Sequence, residues 1–318
     1  MIRTRKFASV ILALVLALAC VASLASCDMI LKGLDDVMNP DETTGGGTKQ
    51  SGTSSYPKPE GKLEFHVLDV GQGDSILLYT ADGCVLIDTS YNKNSVSDSI
   101  IDYLKSLGIS KIDLLVLTHP HADHIGGAPE VIEAFDIGKI LMPDKAATTK
   151  IFEDTLDAIE AKNIDVYAPV VGDVYDIGEL HLTVLAPNSE DYGSEMNNYS
   201  IVMRATFGST SFMLTGDAES HSEEEILARF SSDMLKCDVL KVGHHGSTTS
   251  SSEAFLDAVA PKYAIISCGD GNDYGHPHAE TISKLNARGI QYIVTYEYGT
   301  VVFETDGETL TLRPSENK

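Results

Sequence analysis

One stretch of the chain stands out, Thr118-His119-Pro120-His121-Ala122-Asp123-His124-Ile125-Gly126-Gly127, because three histidines and an aspartate fall within a few consecutive positions. Neutral imidazole nitrogens and carboxylate oxygens are ordinary ligands of zinc. A polar surface loop is the alternative interpretation, but such a loop does not require so many imidazoles in so short a span. The stretch therefore predicts a metal site.

The flanking residues predict where this site lies in the fold. Residues 112–117 form a short, leucine-rich run that is typical of a buried strand. Further along, Pro129 suits the first turn of a helix, and Glu130 suits the positive end of that helix. We therefore expect the ligands to lie on a loop between a strand and a helix.

The amino-terminal residues have the plan of a secretory signal, with a basic start and an apolar core too short to span a membrane. The quartet Leu24-Ala25-Ser26-Cys27 resembles a bacterial lipobox. This resemblance implies cleavage before Cys27, lipid attachment to its thiol, and a protein anchored at the outer face of the cell membrane. Ordinary cleavage near Ala19 without lipid is the alternative.

The composition changes after the signal, at residues 28–60, which are rich in Asp, Gly, Thr, Ser, Lys and Pro. Such a segment cannot build a core and predicts a flexible tether. Residues 61–318 then remain as one catalytic domain. Three cysteines of this domain, Cys84, Cys237 and Cys268, lie beside strand-like runs and are expected to be buried free thiols.

The chain is strongly acidic, with 47 Asp and Glu residues against 23 Lys and Arg residues and a net charge of −24. Nucleic acids are held mainly by Lys and Arg contacts to phosphate, so this charge disfavours long DNA as a partner. Bound metal ions would still supply local positive charge for one phosphodiester. No protein partner is predicted.

The remaining pattern alternates strands and helices and predicts an α/β fold. A helix is expected at residues 96–107, ending before Gly108, and another at 279–287. Strands are expected at residues 63–70, 75–79, 84–87, 180–185, 200–207, 211–214, 238–242, 291–295, 300–304 and near Leu310.

The order His119-x-His121-x-Asp123-His124 resembles the signature of the metallo-β-lactamase superfamily. That resemblance implies a four-layer αββα sandwich with a two-metal site. The chain is also similar, from about Lys62 to Arg313, to the hydrolase domain of ComEC-like proteins. The similar segments are Phe65-His66-Val67-Leu68-Asp69-Val70-Gly71-Gln72-Gly73-Asp74-Ser75, Leu214-Thr215-Gly216-Asp217, Asp238-Val239-Leu240-Lys241-Val242-Gly243-His244-His245-Gly246-Ser247 and Tyr274-Gly275-His276-Pro277-His278.

The resemblance implies two divalent ions, zinc or manganese, that share Asp217. The ligands of one ion would be His119, His121 and Asp217, and those of the other would be Asp123, His124, Asp217 and His245. His244 could replace His245 as a ligand. Otherwise it would contact the substrate phosphate or protonate the leaving group.

Five further residues are assigned supporting roles. Asp88 is expected to orient a ligand imidazole or the Asp123 loop, while Gln72, Asp74 and His276 are expected to line the cleft behind the ligands or beside the substrate. Asn198 stands where the lactamases carry a further isolated histidine, and it is expected to contact the substrate or a metal-bound water. A plain turn asparagine is the alternative.

These assignments predict hydrolysis, in which Asp217 and the metals would hold the attacking hydroxide. The expected function is an exported, lipid-anchored phosphodiesterase or nuclease-like enzyme. A cell-surface hydrolase similar to phosphorylcholine esterases is one alternative. A non-catalytic lipoprotein that binds a ligand through its metal site is another.

Overall fold

A computed structural model describes residues 56–91, 95–189 and 191–314. The predicted signal, Cys27 and most of the predicted tether lie outside the described residues. Tyr56, at the end of the predicted tether, is partly buried, and its hydroxyl lies 2.8 Å from a Glu64 carboxylate oxygen of the domain. Within the described part of the chain, no helix is long and apolar enough to cross a membrane.

The described residues contain seventeen strands. They are β1 (Leu63–Val67), β2 (Ile76–Thr80), β3 (Gly83–Ile87), β4 (Lys111–Ile112), β5 (Leu114–Val116), β6 (Asp136–Ile137), β7 (Ile140–Leu141), β8 (Val166–Tyr167), β9 (Val174–Ile177), β10 (Leu180–Ala186), β11 (Val202–Phe207), β12 (Thr210–Leu214), β13 (Val239–Lys241), β14 (Tyr263–Ile266), β15 (Gln291–Val294), β16 (Val301–Thr305) and β17 (Leu310–Leu312).

Nine α-helices and two 3₁₀ turns lie in the same described ranges. The helices are α1 (Val96–Ser106), α2 (Ala122–Ile125), α3 (Ala128–Ala134), α4 (Lys150–Lys162), α5 (Ser220–Arg229), α6 (Ser232–Leu235), α7 (Glu253–Val259), α8 (Ala279–Ala287) and α9 (Thr295–Tyr298). The 3₁₀ turns are Met196–Tyr199 and Gly243–Gly246.

The strands form two large sheets and one small pair. The first sheet has the order β17-β16-β1-β2-β3-β5-β7-β8, and the second has the order β15-β14-β13-β12-β11-β10-β9. Strands β4 and β6 pair separately. The first sheet changes from antiparallel to parallel pairing at β3 and β5, and the second does so at β12 and β13.

The side chains alternate between two faces along each strand, and this alternation builds a layered core. In β2, Leu78 packs between the sheets, whereas its neighbour Leu77 faces the helices of the outer layer. The rings of Phe65 and Phe212 meet between the sheets with centroids 4.6 Å apart. Helices α1, α3 and α4 cover the first sheet, and α5, α7 and α8 cover the second. The result is the predicted αββα sandwich.

Most of the predicted elements are present, with one split strand. Helix α1 ends before Gly108, as expected, and helix α8 occupies residues 279–287. The predicted strand at residues 112–117 is divided at Asp113, because β4 pairs with β6 in the small sheet whereas β5 pairs with β3 and β7 in the first sheet. Cys84, Cys237 and Cys268 are buried free thiols, as predicted.

Candidate metal centre

The candidate ligands lie on loops that leave the carboxyl ends of three strands. His119, His121, Asp123 and His124 follow β5 of the first sheet, whereas Asp217 follows β12 and His245 follows β13 of the second. Because β12 and β13 are parallel neighbours, the loops that follow them leave the same edge of the second sheet. Each sheet therefore supplies part of one site.

Four side chains form the tightest group. His124 Nε2 lies 3.2 Å from Asp217 Oδ2, and His245 Nε2 lies 3.5 Å from the same oxygen and 3.3 Å from Asp123 Oδ2. One ligand atom from each of these four residues lies within 4.8 Å of the others. This group could hold a metal ion.

His119 and His121 extend the group on its other side. His119 Nε2 lies 3.0 Å from His121 Nδ1 and 3.9 Å from Asp217 Oδ2, so this carboxylate faces both sets of imidazoles. Asp217 Oδ1, His124 Nε2 and His245 Nε2 are buried and have no hydrogen-bond partner in the described part of the chain. Buried polar atoms of this kind require a partner, and a divalent cation would satisfy all three. The structure thus brings the six predicted ligands together in an arrangement that fits two ions sharing Asp217.

The carboxylates and imidazoles of the cluster strongly shift one another's pKa values. Burial alone would raise the pKa of Asp217, but the imidazoles of His124 and His245 outweigh it and hold the pKa well below its usual range. Burial would lower the pKa of His124, yet the Asp217 and Asp88 carboxylates raise it well above its usual value. Burial lowers the pKa of His119, and charge at His124 lowers it further. The central carboxylate is therefore ionised and available to a metal.

The two adjacent histidines of the Gly243–Gly246 turn point to different places. His245 is buried, and its Nδ1 lies 2.9 Å from the Ser267 carbonyl oxygen, which directs Nε2 into the cluster. His244 is partly exposed, with Nδ1 2.9 Å from Thr249 Oγ1 and Nε2 3.8 Å from Asp217 Oδ2. This geometry favours His245 as the ligand and leaves His244 beside the space that a substrate would occupy.

Asp88 lies directly behind one ligand, as predicted. Its Oδ2 lies 2.7 Å from His124 Nδ1, and it accepts hydrogen bonds from the backbone N–H and the hydroxyl of Thr118 at 2.8 and 2.7 Å. Strands β3 and β5 are parallel neighbours, so Asp88 and Thr118 leave the same edge of the first sheet. Asp88 therefore fixes the ring orientation of His124.

Asp74 lies behind His245 and is joined to a lysine that the sequence analysis did not select. The Lys241 ammonium lies 2.7 Å from Asp74 Oδ2, and both side chains are fully buried. Asp74 Oδ1 lies 3.5 Å from His245 Nδ1. Burial alone would raise the pKa of Asp74, but Lys241 and His245 lower it to about 2. The available signal for Lys241 was a charged residue inside the apolar run that forms β13.

The cluster opens into a cavity of about 300 Å³. Gln72 and His276 line it, as predicted, together with residues that had no predicted role. The lining consists of Gln72, Tyr91, His121, Ala122, Asp123, Asn197, Asp217, His244, His245, Tyr274 and His276. Among these described residues there is no lysine or arginine. Burial lowers the pKa of His276 to about 4, so this imidazole is neutral near pH 7.

The structure does not bring Asn198 to the cavity. Its Oδ1 accepts from the backbone N–H groups of Glu219 and Ser222, and its Nδ2 donates to Glu195 Oε2 at 3.1 Å. Asn198 thus holds the start of α5, and the neighbouring Asn197 lines the cavity instead. The two asparagines are neighbours in one 3₁₀ turn, so their side chains point in different directions. The sequence pattern alone does not tell which of the two faces the site.

With this geometry in place, comparisons with known proteins identify the family. Residues 68–270 match the family model of the metallo-beta-lactamase superfamily. The chain is 34% identical over 264 residues to ComE operon protein 3 of Bacillus subtilis. The aligned segment covers 78% of this chain and 34% of that protein. The chain is 32% identical over 248 residues to competence protein ComA of Neisseria gonorrhoeae, covering 77% of this chain and 33% of that protein.

The chain therefore spans about a third of the length of these curated relatives. Among solved structures, it resembles the metallo-beta-lactamase fold protein YhfI of Bacillus subtilis, with a TM-score of 0.53 and 13% identity. That likeness covers 76% of this chain and all of YhfI, and it supports the fold alone. The fold and the family match lead to one conclusion: the chain belongs to the metallo-beta-lactamase superfamily.

Proposed function

We propose that this chain is a metal-dependent phosphodiesterase. The observation that supports this most is the buried Asp217 carboxylate, which lies between two sets of histidines at the floor of an open cavity. Two ions held there would polarise a phosphoryl group and activate a water for attack in line with the leaving oxygen. Phosphodiesters suit such a site because both attacking and leaving oxygens need stabilisation.

The chain's own residues have separable roles in this reaction. His119, His121, Asp123, His124, Asp217 and His245 would hold the ions, and Asp88 and Asp74 would keep two of the imidazoles in orientation. His244 would donate a proton to the leaving oxygen, because its Nε2 faces the cavity while Nδ1 lies against Thr249.

The charge distribution favours a small or terminal phosphodiester over a long polyanion. The described lining of the cavity contains no lysine or arginine, and the whole chain carries a net charge of −24. A protein that holds a long strand needs a track of Lys or Arg residues along the backbone. The names of relatives refer to competence and, in Haemophilus influenzae, to recombination, and these names favour nucleic acid as the source of the diester.

Hydrolysis of bis-p-nitrophenyl phosphate by the manganese- or zinc-loaded chain tests this function. We expect Asp217→Asn to lower kcat/KM at least about 100-fold, because the shared ligand is lost. Chelation of the ions should abolish the activity of the parent. Asp176→Asn is the matched control, since Asp176 pairs with His181 at the surface and its loss should change nothing.

Two outcomes separate the alternatives. Equal rates for Asp217→Asn and the parent would refute the two-metal reaction, whereas tight metal binding without turnover of any diester would favour a binding lipoprotein. Faster cleavage of p-nitrophenylphosphorylcholine than of dinucleotides would favour the phosphorylcholine-esterase-like function.

We also propose that the chain is exported and anchored through a lipid on Cys27. The basis is the apolar amino-terminal stretch followed by Leu24-Ala25-Ser26-Cys27. Cys27→Ser should release the protein from the membrane fraction. Unchanged membrane retention of that variant would refute lipid attachment at this residue.

A further inference from the structure

Tyr274 is the most exposed large hydrophobic residue of the described chain, with 58% of its surface accessible, and it stands at the metal cavity. Its ring stacks on His276, with centroids 5.6 Å apart and planes only 18° from parallel. His276 in turn contacts His244, whose ring centroid is 5.5 Å away. The Tyr274 and His276 rings are therefore stacked at the mouth of the site, and His244 meets His276 edge-on at 69°.

One asparagine holds this stack in place. Asn272 Oδ1 accepts hydrogen bonds from the backbone N–H groups of Tyr274 and His276, and its Nδ2 donates to the carbonyl oxygens of Gly269 and His276. A side-chain hydrogen bond also links Tyr274 to Tyr91, which lines the same cavity. The loop is thus ordered before any ligand arrives, so little entropy is lost when a flat ring docks on it.

We propose that Tyr274 and His276 form a stacking platform for a nucleobase attached to the scissile phosphate. The substrate class is then a short or terminal single-stranded nucleotide diester. This inference rests on the proposed phosphodiesterase function and specifies its substrate. The ions held by the metal ligands would bind the phosphate, and the exposed ring face would stack on the base. Neither contact requires a Lys or Arg residue.

The geometry favours a flat ring over a quaternary ammonium group. Recognition of choline uses aromatic walls that surround the cation. Here the exposed ring and the ring below it are nearly parallel, so Tyr274 presents one exposed flat face to a ligand. Stacking on an aromatic face is also tolerant of base identity.

Calorimetric titration of the manganese-loaded full chain with dAMP and with 2-deoxyribose 5-phosphate tests the platform without requiring turnover. We expect the parent to bind dAMP about tenfold more tightly than the abasic compound, which corresponds to one stacked base. Tyr274→Ala should remove that preference and leave the affinity for the abasic compound unchanged. Tyr274→Phe should retain it, and Tyr292→Ala, at an exposed tyrosine outside the cavity, is the matched control.

Equal affinities of the parent for dAMP and 2-deoxyribose 5-phosphate would overturn the proposal. So would phosphorylcholine binding that is tighter than dAMP binding and lost in Tyr274→Ala. If the preference for dAMP depends on Tyr274 while no diester is hydrolysed, the platform stands and the proposed phosphodiesterase function fails. For a parent that hydrolyses dinucleotides, Tyr274→Ala should raise KM about tenfold with kcat nearly unchanged.

Discussion

Lys241 has no exposed surface, and its ammonium lies 2.7 Å from Asp74 Oδ2. Asp74 in turn lies behind His245. Removing two charges from water costs several kcal/mol each, and the pair recovers this only because both partners are present. The ammonium also donates to the Val242 carbonyl oxygen at 3.0 Å. Asp74 therefore depends on Lys241 to remain ionised beside the metal ligands.

Lys241→Met should lower the free energy of unfolding by about 3–5 kcal/mol, because Asp74 is left as an uncompensated buried charge. Urea unfolding monitored by circular dichroism measures this change. The double variant Lys241→Met/Asp74→Leu should recover much of the loss, since neither charge then remains buried. Lys105→Met, at an exposed helix position, is the control, and a single Lys241→Met variant as stable as the parent would contradict the account.

For single residues, the sequence predicted which side chains could bind metal, but it did not predict all of the contacts that surround them. The ligand types and Asp88 could be predicted because histidine is scarce and these residues follow strand-like runs. Lys241 could not, since a lysine in a short strand is normally placed at an edge in water. The choice between Asn197 and Asn198 depends on the phase of one 3₁₀ turn, which no periodicity in the sequence specifies.

The turn Gly243–Gly246 has a tightly constrained backbone. His244 and His245 both have positive φ, at 48° and 54°, in the left-handed region that few side chains adopt. A Cβ atom on Gly246, where φ is 87°, would lie 2.8 Å from Pro277 Cβ. The turn therefore holds His245 in a strained backbone that is fixed by close packing.

Gly246→Ala should reduce stability and metal affinity together, because the added methyl group moves the turn away from Pro277. We expect a loss in the free energy of unfolding of about 2–4 kcal/mol from the left-handed backbone and the clash combined. Gly289→Ala is the matched control, since φ there is 67° but no atom lies within 4 Å of the added Cβ.

Chemical unfolding and manganese titration measure these two effects. Gly289→Ala should lose only about 1–2 kcal/mol and keep full metal affinity. Equal losses for the two variants would mean that the clash with Pro277 has no role.

Two helices with regular apolar spacing, α1 and α8, were predicted, whereas the longest helix, α4, and the shortest strands were not. Helix α1 was identified by its apolar spacing and by Gly108, whose φ is positive. Strands β7 and β8 have two residues each, too few for an alternation to be recognised. They form because β7 pairs in parallel with β5, and β8 then pairs in parallel with β7, so the sheet is continued by contacts between distant segments.

For the whole molecule, the α/β class could be expected from the alternation of elements, and the αββα sandwich from the resemblance of the motifs. The way in which distant segments come together to form the site could not. The ligands belong to two sheets, and only the packing of the sheets brings Asp217 to His119 and His124. Pairing of β1 with β16 also joins segments from opposite ends of the domain. Such pairings depend on tertiary contacts that leave no local mark in the sequence.

A buried acid network ties these two ends together. Glu64 of β1 accepts from Arg313, near the carboxyl end, and from Tyr56, and it lies 3.2 Å from His66, whose Nδ1 lies 2.7 Å from the Tyr103 hydroxyl. Burial alone would raise the pKa of Glu64, but hydrogen bonds from His66, Tyr56 and Arg313 lower it to about 2 from its ordinary 4.5.

This lowered pKa predicts an acid-sensitive contribution to stability. The folded state binds the Glu64 proton less tightly than the unfolded chain does, so the stabilisation is present above about pH 4.5 and is lost as the pH falls towards 2. Its size is on the order of 3 kcal/mol.

Urea unfolding between pH 6 and pH 2.5 should therefore show a shallower decline for Glu64→Gln than for the parent. Glu60→Gln, at an exposed position, should follow the parent. Identical profiles for Glu64→Gln and the parent would show that Glu64 carries no such contribution.

The antiparallel register that pairs Leu63 with Thr305 makes the first and last parts of the described domain neighbours. The Tyr56 hydroxyl accepts from Arg313 Nη1 at 2.8 Å, so only a short linker would be needed to join the two ends. A circularly permuted chain could then begin at the exposed residue Thr148, outside every strand, and still form every strand pair of both sheets. The fold that assembles the metal centre therefore does not depend on which of its segments is synthesised first.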